Sequence, residues 1–256
     1  MILVKLGGSV ITDKGRYRTF DPETTDRLAE EIARTGQDVM VVHGAGSFGH
    51  MLAKEHRLHL GLTEDSQLLG ASQVMTDVRE LDLEVCRRMS AKGLPVVPLP
   101  PASCAVLRDG ALHHLDLDKF REYHKLGLVP VTFGDVVRDE LRGLGICSGD
   151  QLMAALAGEF RPEKVIFVTD VDGVFTADPT QDPKAKLIKT VDENVLDALP
   201  RTERNVDVTG SIFAKIRYMI DMAALTDECL VLNGKVPGRL EAAIRGEDVI
   251  ASKVIS

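Results

Sequence analysis

Short apolar segments that run straight into glycine constrain this chain more than any other feature. Residues 2–6 (ILVKL) end in Gly7-Gly8-Ser9, residues 38–43 (DVMVVH) in Gly44-Ala45-Gly46, and residues 128–133 (LVPVTF) in Gly134-Asp135. Residues 164–169 (KVIFVT) close in Asp170-Val171-Asp172-Gly173, and 94–99 and 229–232 read as further strands. Strands that are apolar on both faces belong in a mostly parallel sheet covered on two sides. The cover lies between them in sequence. Asp21-Pro22-Glu23 opens a helix with Leu28, Ala29, Ile32 and Ala33 on one face and Gly36 as its stop. A long helix over about 65–91 keeps Val74, Val78, Leu81, Val85 and Met89 at helical spacing and ends near Gly93. Helices are also expected over 116–126, about 150–159, about 211–225 and 238–245, with a hairpin over 104–114 turning at Asp109-Gly110. The class is α/β, and strand–helix alternation with no linker, repeat or low-complexity segment makes 1–256 one domain, with two lobes meeting near 150–165.

Charge narrows the ligand. Lys and Arg number 31 against 39 Asp and Glu, a net −8. Such a body is a poor match for nucleic acid or an anionic membrane. Yet Lys5, Lys14, Arg16 and Arg18 face a single acid, Asp13, within the first eighteen residues. A basic patch on an acidic protein points to a small anion. Hydrophobic residues at 44% and charged residues at 27% exclude a mostly disordered or collagen-like chain. Lys5 and Gly7-Gly8 interrupt the first apolar run too early for a signal peptide, and no stretch approaches the ~20 residues that span a bilayer. Cys86, Cys104, Cys147 and Cys229 contain no CxxC pair, so the expectation is reduced, buried thiols in a cytoplasmic protein and no metal ligands.

In sheets of this type ligands bind beyond the carboxyl ends of the strands, where the glycine turns sit. Glycine lets backbone N–H groups approach a phosphate, and a helix N-terminus adds positive potential. The turn Gly44-x-Gly46-x-x-Gly49 imitates the dinucleotide fingerprint, but residues 54–63 do not read as the second strand that motif needs. It also nearly matches a P-loop, with His50 in place of the lysine and Met51 in place of the Ser/Thr. What remains is a backbone anion cradle with His50 at its rim. His56, His59, His113 and His114 are expected at the surface. Asp170-x-Asp172-Gly173 lacks the later acids of an EF-hand and is either a nucleotide-binding strand end or a plain Asp-Gly turn. Lys215 opens the helix after Asp207-Val208-Thr209-Gly210, where it is either a surface lysine or a clamp on phosphate.

Together these residues resemble the amino-acid-kinase superfamily and, within it, the isopentenyl phosphate kinase family, across essentially the whole chain. The likeness rests on Lys5-Leu6-Gly7-Gly8-Ser9 through Lys14, on His43 to His50, on Gly134-Asp135-Val136 and on Ser148-Gly149-Asp150. It continues in Thr169 to Phe175 and in Asp207 to Gly210. The resemblance implies an αβα sandwich, a homodimer, and transfer of the γ-phosphoryl of ATP, with Mg²⁺, to isopentenyl phosphate in isoprenoid biosynthesis. It implies an acceptor lobe of about 1–160 and a nucleotide lobe of about 161–256. Lys5 and Lys215 resemble the lysines on the ATP phosphates, and Lys14 the lysine of the transition state. Gly7, Gly8, Ser9, Gly44, Ala45, Gly46 and Gly149 look like donor and acceptor cradles, and His50 the acceptor-phosphate histidine. Asp135 and Asp150 are similar to acids that orient the lysines or the acceptor. Thr169, Asp170, Asp172, Gly173, Phe175, Asp178 and Gly210 look like the nucleotide edge. Ser211 departs from the family's second glycine, which puts the fine geometry of the ATP loop in question. A related kinase with a phosphonate or acylamino-acid acceptor, and a non-catalytic nucleotide binder, are the competing readings. A phosphate acceptor suits a site without a base, because a phosphomonoester is largely dianionic at pH 7.

Overall fold

The structure, a computed structural model, describes residues 1–198, 206, 207 and 210–256. Strand β1 (Ile2–Leu6) leads through the short α1 (Gly8–Ile11) to α2 (Pro22–Thr35). β2 (Val39–His43), α3 (Gly46–Glu55) and the long α4 (Gln67–Ala91) follow, then β3 (Val96–Pro98), β4 (Ala105–Arg108), β5 (Ala111–Leu115) and α5 (Leu117–Lys125). Next come β6 (Val129–Phe133), β7 (Asp135–Asp139), β8 (Gly143–Cys147), α6 (Gly149–Phe160) and β9 (Lys164–Thr169). The chain closes with β10 (Thr190–Val191), α7 (Glu193–Ala198), β11 (Val206–Asp207), β12 (Gly210–Ser211), α8 (Ile212–Ala223), β13 (Glu228–Asn233), α9 (Arg239–Arg245) and β14 (Ala251–Val254).

The main sheet has the order β10-β14-β13-β9-β1-β2-β6-β3. Its pairs are parallel except β13 with β14. Side chains alternate between its faces. Leu3, Val42, Phe167 and Val231 pack on one side with Phe120 of α5, Leu152 and Leu156 of α6, and Ile216 and Met219 of α8. Val4, Leu6, Val41, Ile166 and Leu232 pack on the other with α2, α4 and α9. This is the αβα sandwich. A smaller sheet, β5-β4-β7-β8, flanks the first layer, and Ala45, Val74, Val78, Phe133 and Val136 form a third apolar cluster beneath it.

The helix signals act as expected. Asp21 caps α2 by accepting the Thr24 N–H at 3.0 Å, and Gly36 ends it in the left-handed region. Ser148 and Gln151 form a reciprocal capping box at the start of α6. Four features differ from expectation. Residues 44–50 are not only a turn, because α3 begins at Gly46 inside the glycine motif. Residues 135–147 fold as the β7–β8 hairpin, and 251–254 add a strand at the C-terminus. His56 is half-buried, with its ring against Gly70 of α4.

Candidate active site

The turns after β1, β2 and β6 and the start of α6 converge at the carboxyl ends of the strands. Their contacts are backbone on backbone. A Cβ on Gly8 would lie 2.5 Å from the Gly46 nitrogen, and one on Gly44 would lie 2.6 Å from the Gly8 nitrogen. Gly46 also needs its positive φ of 51° and the space beside Thr12. Thr12 Oγ1 donates to the Gly8 carbonyl at 2.7 Å and accepts the Ser47 N–H at 3.0 Å, which locks the first turn onto α3. A Cβ on Gly149 would meet Lys5 Cε at 3.2 Å, and Gly134 sits beside Gly149 and Ala45. Two helix N-termini, those of α3 and α6, therefore open onto one place and bring positive potential to it.

A cavity of about 840 Å³ occupies that place. Lys5, Lys14 and Lys215 all line it, with Gly7, Gly8, Ser9, Ala45, Gly46, His50, Asp135, Gly149 and Asp150. Thr169, Asp170, Gly173, Phe175 and Asp178 form its other edge. Its size suits a nucleotide with a small second ligand. Beyond His50 the wall turns apolar, with Ala53, Val74, Val78, Val136 and Ile146.

Lys5 and Lys14 each meet a carboxylate. Lys5 projects from β1 beside Phe167 and meets Asp150 Oδ1 at 2.5 Å, a short charge-assisted bond between two well-buried side chains. Lys14 lies on the exposed segment between α1 and α2, 3.6 Å from Asp170 Oδ2, and Ser9 Oγ donates to the other oxygen of that carboxylate at 2.9 Å. His50 on α3 and Lys215 on α8 are half-buried. Asp178 is held below the usual carboxylate range, first by the Thr180 hydroxyl and N–H and also by the nearby Lys14 charge.

Not every expected residue takes its expected place. Asp135 lines the cavity, but its carboxylate pairs with an arginine and not with a lysine. Its buried carboxylate takes Arg79 at 3.0 Å and 3.3 Å and the N–H groups of Ala102 and Val136, so it fastens β7 to α4. Burial pushes its pKa up, and Arg79 and the two N–H groups only partly offset that. Lysine orientation falls to Asp150. Asp172 turns away from the cavity to Arg239 (2.5 Å) and Asn233 (3.1 Å), and Arg239 lowers its pKa. Gly210 pairs with Asp207, β12 running antiparallel to β11. The readings of Val208 and Thr209, and of the Ser211 side chain, fall outside what the structure describes.

Sequence reasoning missed three anchors, all on α4: Asp77, Arg79 and Asp82. Asp82 meets His43 Nε2 at 3.3 Å beneath the glycine cradle, while His43 stacks on Phe133 and its Nδ1 lies 3.1 Å from the Gly44 carbonyl. Asp77 takes the hydroxyl of Tyr17. A signal was present. Asp77 and Asp82 interleave with Val74, Val78, Leu81 and Val85 on the buried face of one helix. Charges there need partners elsewhere in the chain.

Residues 1–233 match the amino acid kinase family. The chain is similar to the isopentenyl phosphate kinase of Methanothermobacter thermautotrophicus, with 37% identity over 99% of this chain and 98% of that one. It is 35% identical to the isopentenyl phosphate kinase of Thermoplasma acidophilum over 94% of each. A crystal structure of an isopentenyl phosphate kinase superposes with a TM-score of 0.88 at 35% identity over 99% of both chains. A second, an isopentenyl phosphate kinase substrate complex, gives 0.84 at 32% over 99% of this chain and 100% of that one. At 17% identity, the UMP kinase of Ureaplasma parvum shares the fold with a TM-score of 0.66 over 99% of this chain and 97% of that one.

Proposed function

The chain belongs to the amino acid kinase family and, within it, to the isopentenyl phosphate kinases, and on that premise we propose that it transfers the γ-phosphoryl group of ATP to isopentenyl phosphate. The observation that carries the reading is the convergence of Lys5, Lys14 and Lys215 with two glycine-lined helix starts on one cavity whose far wall is apolar. Three cations and a ring of backbone N–H groups suit two phosphate chains brought end to end. The apolar wall formed by Val74, Val78, Val136 and Ile146 suits a short hydrocarbon tail.

In this reading a terminal oxygen of isopentenyl phosphate attacks the γ-phosphorus in line. The bond to the β,γ-bridging oxygen breaks, and ADP and isopentenyl diphosphate result. No general base is needed, since the acceptor is largely dianionic at pH 7. The work is to hold two anions together and to neutralise charge on the group in flight. Asp150 fixes Lys5 on the donor phosphates, with Lys215 opposite, and Lys14 meets the transferring group. His50, Ala45, Gly46 and Gly149 hold the acceptor phosphate. Thr169, Asp170, Gly173, Phe175 and Asp178 form the nucleotide edge, and residues 1–160 and 161–256 serve acceptor and nucleotide as two lobes of one domain. Among the described residues no group of three His, Cys, Asp or Glu side chains gathers to hold a metal. Magnesium carried with ATP would supply charge neutralisation.

The reading also places the protein in the cytoplasm as a homodimer serving isoprenoid biosynthesis. Among the described residues no helix is long and apolar enough to cross a membrane. Light scattering tests the assembly. The activity itself is tested by incubating the protein with Mg-ATP and isopentenyl phosphate. ADP and isopentenyl diphosphate should appear together, and their absence refutes the reading. Replacing Lys5 or Lys215 by Ala should cost roughly 10²–10³ in kcat, as for other preorganised charge stabilisers. His50→Ala should raise KM for the acceptor and leave ATP binding in place.

A further inference from the structure

Lys14 stands on a segment, residues 13–19, that belongs to no helix or strand. Nothing in that segment's own sequence would hold an exposed lysine over a reacting phosphate. The Lys14 side chain is 64% exposed, and its recorded partner, Asp170, is 3.6 Å away.

The segment is instead fastened at its far end. An antiparallel bridge joins Thr12 to Phe20, and the Asp13 N–H donates to the Thr19 carbonyl at 2.9 Å, so the loop closes on itself. Arg18 N–H then donates to the Ser47 carbonyl at 3.3 Å, and Thr19 N–H to Ser47 Oγ at 3.2 Å, both at the start of α3. Beyond these the loop reaches α4. Tyr17 donates its hydroxyl to Asp77 Oδ2, Arg18 Nη1 lies 3.5 Å from Asp77 Oδ1, and Arg18 Nη2 donates to Glu80. Asp77 is 1% exposed on the inner side of a 25-residue helix, so it is a fixed point. Arg18 carries a second, independent mark of tension. Its φ is +51°, a conformation non-glycine residues hold only where their surroundings impose it. Lys14 and Tyr17 are three positions apart, which limits their Cα separation to about 11 Å and couples one to the other.

We propose that Asp77, with Tyr17 and Arg18, forms a latch that sets the position of Lys14 for phosphoryl transfer. Asp77 and Tyr17 are positioning residues, since neither lines the cavity. The latch rests on the reading of Lys14 as the cation of the transferring group. Arg18, one member of the N-terminal basic patch, becomes part of the site's support.

The test is a double-mutant cycle with steady-state kinetics on Mg-ATP and isopentenyl phosphate. Tyr17→Phe and Asp77→Asn are made singly and each in a Lys14→Ala background. Each single variant should lower kcat about tenfold to a hundredfold, the cost of a misplaced catalytic group, with KM for ATP within about twofold of wild type. In the Lys14→Ala background neither should lower kcat further. Tyr17→Phe removes one hydroxyl at an exposed residue and leaves the fold in place, so it carries the test if Asp77→Asn does not fold. Equal losses of kcat in both backgrounds overturn the latch, because a general structural defect would act without Lys14. Wild-type kcat in Tyr17→Phe overturns it as well. If Lys14→Ala alone leaves kcat unchanged, the assignment of Lys14 fails first and takes the latch with it.

Discussion

Gly8→Ala probes the cradle with a single methyl group. The added Cβ would sit 2.5 Å from the Gly46 nitrogen and 2.6 Å from the Gly46 Cα, both backbone atoms that no rotamer change can move aside. Restoring van der Waals contact requires the turns after β1 and β2 to part by roughly 1 Å. Overpacking of this kind costs about 1–3 kcal/mol, which for a chain of this length lowers Tm by roughly 2–10 °C. The kinetic effect should be larger in proportion. Lys5 precedes one turn and His50 follows the other, so a 1 Å separation misaligns donor and acceptor phosphates and should lower kcat about a hundredfold. Gly36→Ala is the control. Its φ is +62° and nothing lies within 4 Å of the new methyl, so it should cost about 1 kcal/mol in stability and leave kinetics unchanged. The assay is coupled ADP release alongside calorimetric melting of the two variants. If Gly8→Ala turned over at the wild-type rate with a Tm no lower than that of Gly36→Ala, the close approach of the two turns would not be what holds the phosphates, and the argument would fail.

Arg79→Ala should leave the buried Asp135 carboxylate without its cation and cost about 3 kcal/mol. This is the lower end for a broken buried pair, because the Arg79 side chain is one-third exposed. Asp135 already has a folded-state pKa raised by burial, so its contribution is present below the unfolded value and lost as pH rises through the folded one. Chemical denaturation should therefore show the Arg79→Ala deficit growing as pH rises above the ordinary carboxylate range, and a flat deficit would refute the assignment. The four cysteines should resist thiol reagents in the native protein and react on unfolding. All are buried, and burial pushes Cys104 up to about 11 and Cys229 up to about 12. Rapid native labelling at pH 8 would contradict that.

Sequence patterning carried the sheet and the layers well, because a doubly covered parallel strand has to be apolar throughout and its turn has to be glycine. It carried the glycines of the cavity for the same local reason, whereas Lys14 and Lys215 were singled out through the family resemblance. Helix α3 escaped because Gly46 and Gly49 read as loop residues. Gly49 is instead the close contact of two helices, where a Cβ would lie 2.6 Å from that of Ala45 and 3.1 Å from Val78. The roles of the carboxylates were the least legible. Asp150 and Asp135 stand in similar Gly-Asp settings, yet one meets Lys5 and the other Arg79, fifty-six positions away in sequence. Asp172 sits two residues from Asp170 but faces Arg239. Such partners are set by tertiary packing, on which local spacing is silent.

Helix α4 interleaves two kinds of residue. Val74 and Val78 line the cavity, whereas Asp77, Arg79 and Asp82 hold the Lys14 segment, strand β7 and the residue before the glycine cradle. The tuning positions and the fastening positions are thus distinct side chains on one rigid rod about 37 Å long. Such a division lets the apolar wall of the cavity change shape by small steps: a valine can be exchanged for a smaller or larger residue while the contacts that fasten the helix to its neighbours stay in place.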